Sequence, residues 1–298
     1  MPEIPEKPLE TADDLWDQLS PTKRHSDSNS QIIYRGHADA EWELKPSLLR
    51  EESLQLMKEF SDSPFKCEDL VWREFEDLQF FVQSCDQAGV EVPNDSLMFR
   101  KSILTKDNFR KYHEDPSTWP SDEFLEIMAF GRLHGLPTRL LDWSIDPYVA
   151  AYFAASGALL SIASGAKIGE RIAIHELDFG PPDKEYLGEV RLLRIKGSIS
   201  PNVVAQQGMF TVHPPVENHG EMEELRSLEN YLPPLPASPI RKFTIPISQV
   251  PELYELCSTF NYNAARLYPG PEGVVRTLRE HQMRKIARRM ANSNCKLV

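Results

Sequence analysis

The segments of this chain that favour β structure are concentrated in its second half. Four of them, rich in β-branched and aromatic residues, lie at 171–177, 190–195, 208–212 and 241–247, and one lies early, at 31–36. Strands that cluster in this way, without a helix between successive strands, favour an α+β fold over an α/β fold. The sequence therefore predicts one α+β domain with flanking helices and a mainly antiparallel sheet, either continuous or split.

Helices are predicted where apolar residues recur at helical spacing or where a capping pattern begins a run. Val71, Phe75, Leu78 and Val82 share one face of a helix over 68–87. Capping and proline signals predict five more helices: a short one after Thr11 with Asp14, one over 121–134, one from Pro147 after Asp146, one over 248–260 and a basic one from 272 onward.

These signals divide the chain into a tail, a domain and a basic terminus. Residues 1–10 are expected to form a flexible tail, and 281–298 a basic C-terminal helix and tail. The domain between them, 11–280, has a motif-bearing core at 30–155 and a strand-rich C-terminal half at 170–280. Within that half, the acidic and proline-rich stretch 216–239 is interpreted as an irregular insertion.

Charge and cysteine content narrow the range of functions. With 33 Lys and Arg against 45 Asp and Glu, the net charge of −12 argues against a protein that coats nucleic acid. Four scattered cysteines form no CxxC pattern, so no metal site is expected. The N-terminus lacks the order of a signal peptide, and no run matches the apolar stretch of a membrane span. A cytoplasmic location without a membrane partner is therefore expected.

Arg35 is the first candidate functional residue. It follows a run of apolar and aromatic residues and precedes Gly36, so its guanidinium is expected near the end of a buried strand. An unpaired buried charge is costly, and Arg35 therefore needs an anionic partner. Two partners remain open: an internal carboxylate such as Asp142, or a phosphate or carboxylate of a ligand.

The stretch 134–144, HGLPTRLLDWS, is the second candidate. Gly135 and Pro137 predict a turn, and three leucines supply apolar anchors. Thr138, Arg139, Asp142, Trp143 and Ser144 would then be held on a stiff support, as a pre-organised site requires, although a buried structural network has the same pattern. His37 and His134 lie in no HExxH or Ser/His/Asp pattern, which favours structural roles.

Several segments resemble the FRG domain, a microbial family named for its Phe/Tyr-Arg-Gly opening. The most specific are YRGHADAEWELKPSLLR at 34–50 and HGLPTRLLDWSIDPYVAAYFA at 134–154. NVVAQQGMF at 202–210, the stretch 243–263 and ARLYPGPEGVVRTL at 265–278 are also similar to the C-terminal half of such proteins. The resemblance thus spans about residues 10 to 280.

A looser similarity connects the chain with ADP-ribosyltransferases of the arginine-serine-glutamate type. It implies that Arg35 binds the phosphates and nicotinamide ribose of NAD and that Ser144 orients the ribose. The third element departs from the pattern, because Gln206-Gln207-Gly208 stands where a Gln/Glu-x-Glu motif is expected. A neutral glutamine supplies no charge to an oxocarbenium-like state. Either Asp142 supplies that charge, or the protein binds a nucleotide without turning it over.

The resemblance accordingly implies catalytic roles for Arg35, Asp142, Ser144 and Gln207. It implies an NAD or nucleotide site lined by Tyr34, Arg35, Gly36, His37, His134, Thr138, Arg139, Trp143 and Gln206. A ring of the ligand would stack on Tyr34 or Trp143.

Three functions remain open at this point. The first is an NAD-consuming transferase or glycohydrolase of a microbial defence or toxin system. The second is a non-catalytic nucleotide-binding or interaction module that uses the same pocket. The third is nucleic-acid binding by the basic helix at 272–290, against which the overall negative charge speaks.

Overall fold

The computed structural model describes residues 4–23, 30–58, 67–213, 227–233 and 238–294. Eight strands of these residues form one mixed sheet in the order β1-β8-β4-β2-β3-β7-β6-β5. The strands are β1 (Glu6–Pro8), β2 (Ile32–His37), β3 (Leu141–Ser144), β4 (Arg171–Asp178), β5 (Tyr186–Leu187), β6 (Val190–Leu193), β7 (Gly208–Val212) and β8 (Ile240–Pro246).

Helices cover the sheet, and several begin as the sequence predicts. They are α1 (Ala12–Gln18), α2 (Glu51–Lys58), α3 (Cys67–Gln87), α4 (Lys106–Glu114), α5 (Asp122–Leu133), α6 (Pro147–Ser164), α7 (Pro201–Ala205), α8 (Val250–Thr259), α9 (Ala264–Leu267) and α10 (Pro271–Asn294). The predicted capping box of Thr11 and Asp14 begins α1. Asp146 caps α6 by accepting a hydrogen bond from the Tyr148 backbone N–H.

The sheet combines both strand orientations in one layer. β1 runs parallel to β8, and the other six pairings are antiparallel. The described strands are not split into two sheets. The pairing of β2 with β3 is nevertheless minimal, because it consists of a single register pair, Tyr34 opposite Ser144. The two central strands therefore diverge beyond that point.

β3 is an element that the sequence did not predict. No strand was predicted in 134–144, where Gly135 and Pro137 indicated a turn, yet Leu141–Ser144 pairs with β7 along all four residues. A four-residue strand shows hardly two periods of alternation, and two of its residues are polar. Only the pairing partners on its two sides reveal it.

The predicted tail and basic terminus both take part in regular structure. Glu6–Pro8 pairs with β8 at the edge of the sheet, although all three residues are exposed. α10 runs without a break across residue 281, and three of its arginines pair with acids: Arg276 with Glu280, Arg284 with Glu255 and Arg288 with Glu252. The insertion predicted at 216–239 lies largely outside the described residues.

α6 is a core helix that packs directly on β2. A Cβ at Gly36 would lie 1.9 Å from the carbonyl oxygen of Ala150. Only glycine fits there, so Gly36 sets the depth at which the neighbouring Arg35 is held. No run of the sequence was expected to match a membrane span, yet α6 is long and apolar enough to cross a membrane. Of this helix, 56% is buried inside the fold.

Two helical layers flank the two halves of the sheet. α1, α6, α8 and α10 share a core cluster with β2, β4 and β8. α3, α4 and α5 share another with β6 and β7, and the four predicted core residues of α3 belong to it. The divergence of β2 and β3 lies between these halves.

Candidate functional site

A cavity of about 540 Å³ lies where β2 and β3 diverge. Its walls come from both strands, from α5 and α6, and from the segments that carry Trp42 and Arg50, Asn202 and Gln206, and Tyr268. Strands that separate leave backbone groups without ladder partners, and such groups must find other partners. A side chain supplies one of these partners here.

Arg35 lies where β2 and β3 begin to diverge. Its Nη1 donates a 2.6 Å hydrogen bond to the backbone carbonyl of Asp142, in place of a ladder bond from β2. Its Nε donates to Nε2 of His37 at 2.9 Å. Among the described residues Nη2 has no hydrogen-bond partner, and the side chain is 11% exposed at the cavity wall. The guanidinium is thus fixed on one side and open on the other.

His37 orients that guanidinium. Because Nε2 accepts from Arg35, the ring proton sits on Nδ1, which faces the Trp42 carbonyl oxygen at 3.2 Å. Burial, followed by the nearby charges of His175 and Arg35, lowers the pKa of His37 well below its usual 6.5. The ring is therefore neutral at physiological pH and can accept. His37 thus lines the cavity and also holds Arg35 in place.

Asp142 is shared by two arginines. Arg132 approaches its Oδ2 at 2.7 Å, and Arg35 at 3.6 Å. Burial raises the pKa of Asp142, but Arg132 and Arg35 outweigh that effect and hold the pKa below its ordinary value. The internal pair that the sequence left open for Arg35 is present, and it does not close the cavity, because the Asp142 side chain is 39% exposed.

The cavity carries an excess of positive charge. Arg35, Arg50 and Arg132 line it, whereas Asp142 is the only acid among its lining residues. Burial lowers the pKa of Arg35 to about 10, so the group stays charged at neutral pH. Three guanidiniums against one carboxylate, in a chain of net charge −12, make this cavity suited to an anion.

Aromatic side chains also line the cavity. Trp42 is 51% exposed beside the cavity, and Phe153 and Tyr268 also line it. One face of Tyr268 is covered by Arg276, 4.3 Å from the ring centroid. Trp42 therefore offers the most accessible surface on which a flat ring can stack.

The two aromatic residues predicted to stack are in a poorer position. Tyr34 and Trp143 line the cavity but are only 1% and 4% exposed. Trp143 donates its indole N–H to Thr211 and packs with Ile33 and Met209. Both rings belong mainly to the core.

Ser144 and the glutamines also differ from their expected roles. The Ser144 hydroxyl donates to the Gln206 carbonyl at 2.7 Å and accepts from the Asp146 N–H at 3.0 Å, so its proton is already engaged. Gln206 lines the cavity, while its amide donates to the Leu267 carbonyl. Gln207 is exposed, has a left-handed backbone (φ 47°), faces Asp146 and does not line the cavity.

Three further predicted residues lie outside the cavity wall. His134 is exposed after the end of α5 and packs on Phe130. Arg139 is buried against Glu74, with Nε 2.5 Å from its carboxylate. Thr138 is fully buried, and its carbonyl accepts from the Leu48 N–H at 3.2 Å. Their physical role is internal packing and pairing.

The sequence missed Trp42, Arg50, Arg132, Asn202, Phe153 and Tyr268, all of which line the cavity. One signal in the sequence distinguishes the role of Arg132 from that of Arg139. Glu74 lies on the apolar face of α3 next to Val71, Phe75 and Leu78, and a buried carboxylate there requires a buried cation. Arg139 is that cation, which leaves Arg132 for the cavity.

The geometry offers no metal centre among the residues that the structure describes, because no three His, Cys, Asp or Glu side chains converge. Comparison with known proteins gives one finding. Residues 30–161 match the family model of the FRG domain. That interval contains Arg35, Arg50, Arg132 and Asp142. No curated protein and no solved structure matches the chain.

Proposed function

We propose that the FRG domain of this chain binds a nucleotide in the cavity between β2 and β3, with NAD as the first candidate. The observation that carries this proposal is Arg35, which lines the cavity with its guanidinium fixed by His37 and the Asp142 carbonyl, while Nη2 has no hydrogen-bond partner among the described residues. A planar guanidinium held in this way is pre-organised for phosphate oxygens.

Shape and chemistry of the cavity support the same ligand class. A volume of about 540 Å³ is within the range of small-molecule sites. The anionic end of a nucleotide would meet the guanidiniums, and its base would meet Trp42. Asn202 and Gln206 add polar groups to the cavity wall.

Calorimetric titration of NAD into the full chain tests the proposal. Wild type is expected to bind NAD, and Arg35→Gln to bind about 10- to 100-fold more weakly, since charge-assisted hydrogen bonds contribute about 1.5–3 kcal/mol each. Arg110→Gln, which removes the same charge from the exposed surface of α4, should bind like wild type. Because Arg35 also supports the fold, Arg35→Lys serves as a second variant, which keeps the positive charge but lacks the planar guanidinium.

Two results would overturn the proposal. One is the absence of NAD, ADP and AMP binding to folded wild type. The other is unchanged affinity in Arg35→Gln whose unfolding transition shows that it remains folded.

Cleavage of NAD is a second candidate function, and Asp142 is the observation that favours it. Its carboxylate is the one acidic group on the cavity wall, and the lowered pKa keeps it ionised at neutral pH. An ionised carboxylate can stabilise the positive charge that develops as nicotinamide leaves. Arg35 and Arg132 offset much of that charge, which is why binding stands first. Nicotinamide release by wild type but not by Asp142→Asn would establish turnover, and no release by either would confine the site to binding.

A further inference from the structure

We propose that Arg50 holds a second anionic group of the ligand, so that the cavity selects a diphosphate over a monophosphate. The inference rests on the proposed nucleotide site and specifies which part of the ligand that site recognises. Arg50 lines the cavity together with Arg35, but on a different segment of the chain, between β2 and α2.

The turn that carries Arg50 is anchored to the fold. Leu48 and Leu49, immediately before it, are buried, and the Leu48 N–H donates to the Thr138 carbonyl. Ser47 is bonded to the same backbone, since Oγ accepts from the Thr138 N–H at 3.2 Å. These bonds give Thr138, a predicted ligand-binding residue, a supporting role. They also keep the Cα of Arg50 at a constant distance from the cavity.

The guanidinium of Arg50 is the uncommitted charge of the three. Arg35 and Arg132 share Asp142, whereas Arg50 has no ion-pair partner among the described residues. With the residues that the structure describes, Arg50 makes one hydrogen bond, a long one from its Nε to the Lys45 carbonyl at 3.4 Å. Both Nη groups remain available to a ligand.

The surrounding charges favour an additional anion. Burial lowers the pKa of Arg50, and the positive charge of Arg132 lowers it further. Arg35 is affected by both of the other guanidiniums in the same way. Asp142 and Glu52 act on Arg50 in the opposite direction and offset only part of these effects, since its pKa stays lowered. A second phosphate attached to the one on Arg35 would offset the remaining repulsion between Arg50 and Arg132.

The geometry therefore assigns different tasks to the two open arginines. Arg35 is pre-organised by His37 and binds one phosphate. Arg50 lies on an anchored turn, has both Nη groups without a partner among the described residues, and binds the adjacent phosphate. A nucleoside diphosphate, or a dinucleotide joined through a diphosphate, satisfies both.

Calorimetry with AMP and ADP as probes tests this assignment. Wild type is expected to bind ADP about 10-fold or more tightly than AMP, in keeping with one extra charge-assisted contact. In Arg50→Gln the ratio of the two dissociation constants should fall to roughly 1–2, mainly through weaker ADP binding. Arg110→Gln should keep the wild-type ratio, which controls for the change in net charge. Arg50 makes only one long hydrogen bond and no ion pair among the described residues, so the variant should fold, and circular dichroism verifies this.

The possible failures are distinguishable. Equal affinity of wild type for AMP and ADP overturns the role of Arg50 and leaves nucleotide binding standing. Equal weakening of both probes in Arg50→Gln has the same consequence, because it indicates a general electrostatic effect. Absence of binding by both probes overturns this inference, and absence of NAD binding as well overturns the proposed function.

Discussion

Replacing Asp142 by asparagine should tighten the binding of ADP. In the free protein this carboxylate is the counter-ion of Arg35 and Arg132, with Oδ2 at 3.6 Å and 2.7 Å from them. A ligand phosphate on the open side of Arg35 would be repelled by the same carboxylate. Asparagine keeps the shape and removes the charge.

The magnitude follows from Coulomb's law. A phosphate on the far side of Arg35 would lie about 7 Å from the carboxylate, where two unit charges repel by roughly 2.4 kcal/mol at an effective dielectric constant of about 20. The Asp142 side chain is 39% exposed, so solvent and salt reduce this repulsion. We expect a gain of about 1–1.4 kcal/mol, which corresponds to a roughly 5- to 10-fold lower dissociation constant.

The same change should weaken the fold. Arg35 and Arg132 lose a shared carboxylate, and we expect the free energy of unfolding to fall by about 1–3 kcal/mol. The assay therefore pairs ADP titration at low salt with urea unfolding of the same samples. Asp183→Asn, on the exposed connection between β4 and β5, is the matched control and should change neither quantity by more than about 0.5 kcal/mol.

The opposite sign of the binding change would refute the reasoning. If folded Asp142→Asn binds ADP more weakly than wild type, the carboxylate contacts the ligand and is not merely an internal counter-ion. Such a result would also strengthen the catalytic role that the sequence suggested for Asp142.

Three further predictions concern stability and stacking. Glu74→Leu should reduce the free energy of unfolding by about 3–5 kcal/mol in urea titrations, because it leaves the buried Arg139 charge unpaired, and an unchanged midpoint would contradict this. Trp42→Ala should weaken ADP binding by about 1–3 kcal/mol through lost stacking, whereas equal calorimetric affinities would exclude Trp42 from the base site. The pKa of His37 is lowered well below 6.5, and that of His175 to about 3, so the unfolded chain binds more protons in acid than the folded one. The free energy of unfolding should therefore fall as pH drops below about 6.5, by up to about 2.7 kcal/mol per pH unit for both rings together. Urea midpoints that do not decrease between pH 7 and 5 would contradict this.

The sequence contained enough to locate Arg35 and its acid, but not the site around them. A charged residue at the end of an apolar strand had to meet an anion, and Asp142 is one such partner. The cavity exists because β2 and β3 share only one register pair, and pairing between residues so far apart in the chain leaves no local signal. Arg50 and Arg132 reach the cavity from a turn and from a helix end, each of which has an ordinary composition.

Other differences follow from tertiary packing. Gly36 was expected to line the ligand site and does line the cavity, and its missing Cβ also admits the backbone of α6. Ser144 was expected to serve a ribose, and its hydroxyl instead joins the end of β3 to the Gln206 carbonyl and to the start of α6. In both cases the residue type was informative about close approach or hydrogen bonding. The residue type could not show whether a ligand or another part of the protein is the partner.

A crystal structure of the full chain with ADP tests the central claim most directly. The account predicts density between β2 and β3, with oxygens of one phosphate about 3 Å from Arg35 and oxygens of the other about 3 Å from Arg50. ADP bound elsewhere on the protein, with the cavity filled only by solvent and Arg35 contacting only His37 and Asp142, would contradict it.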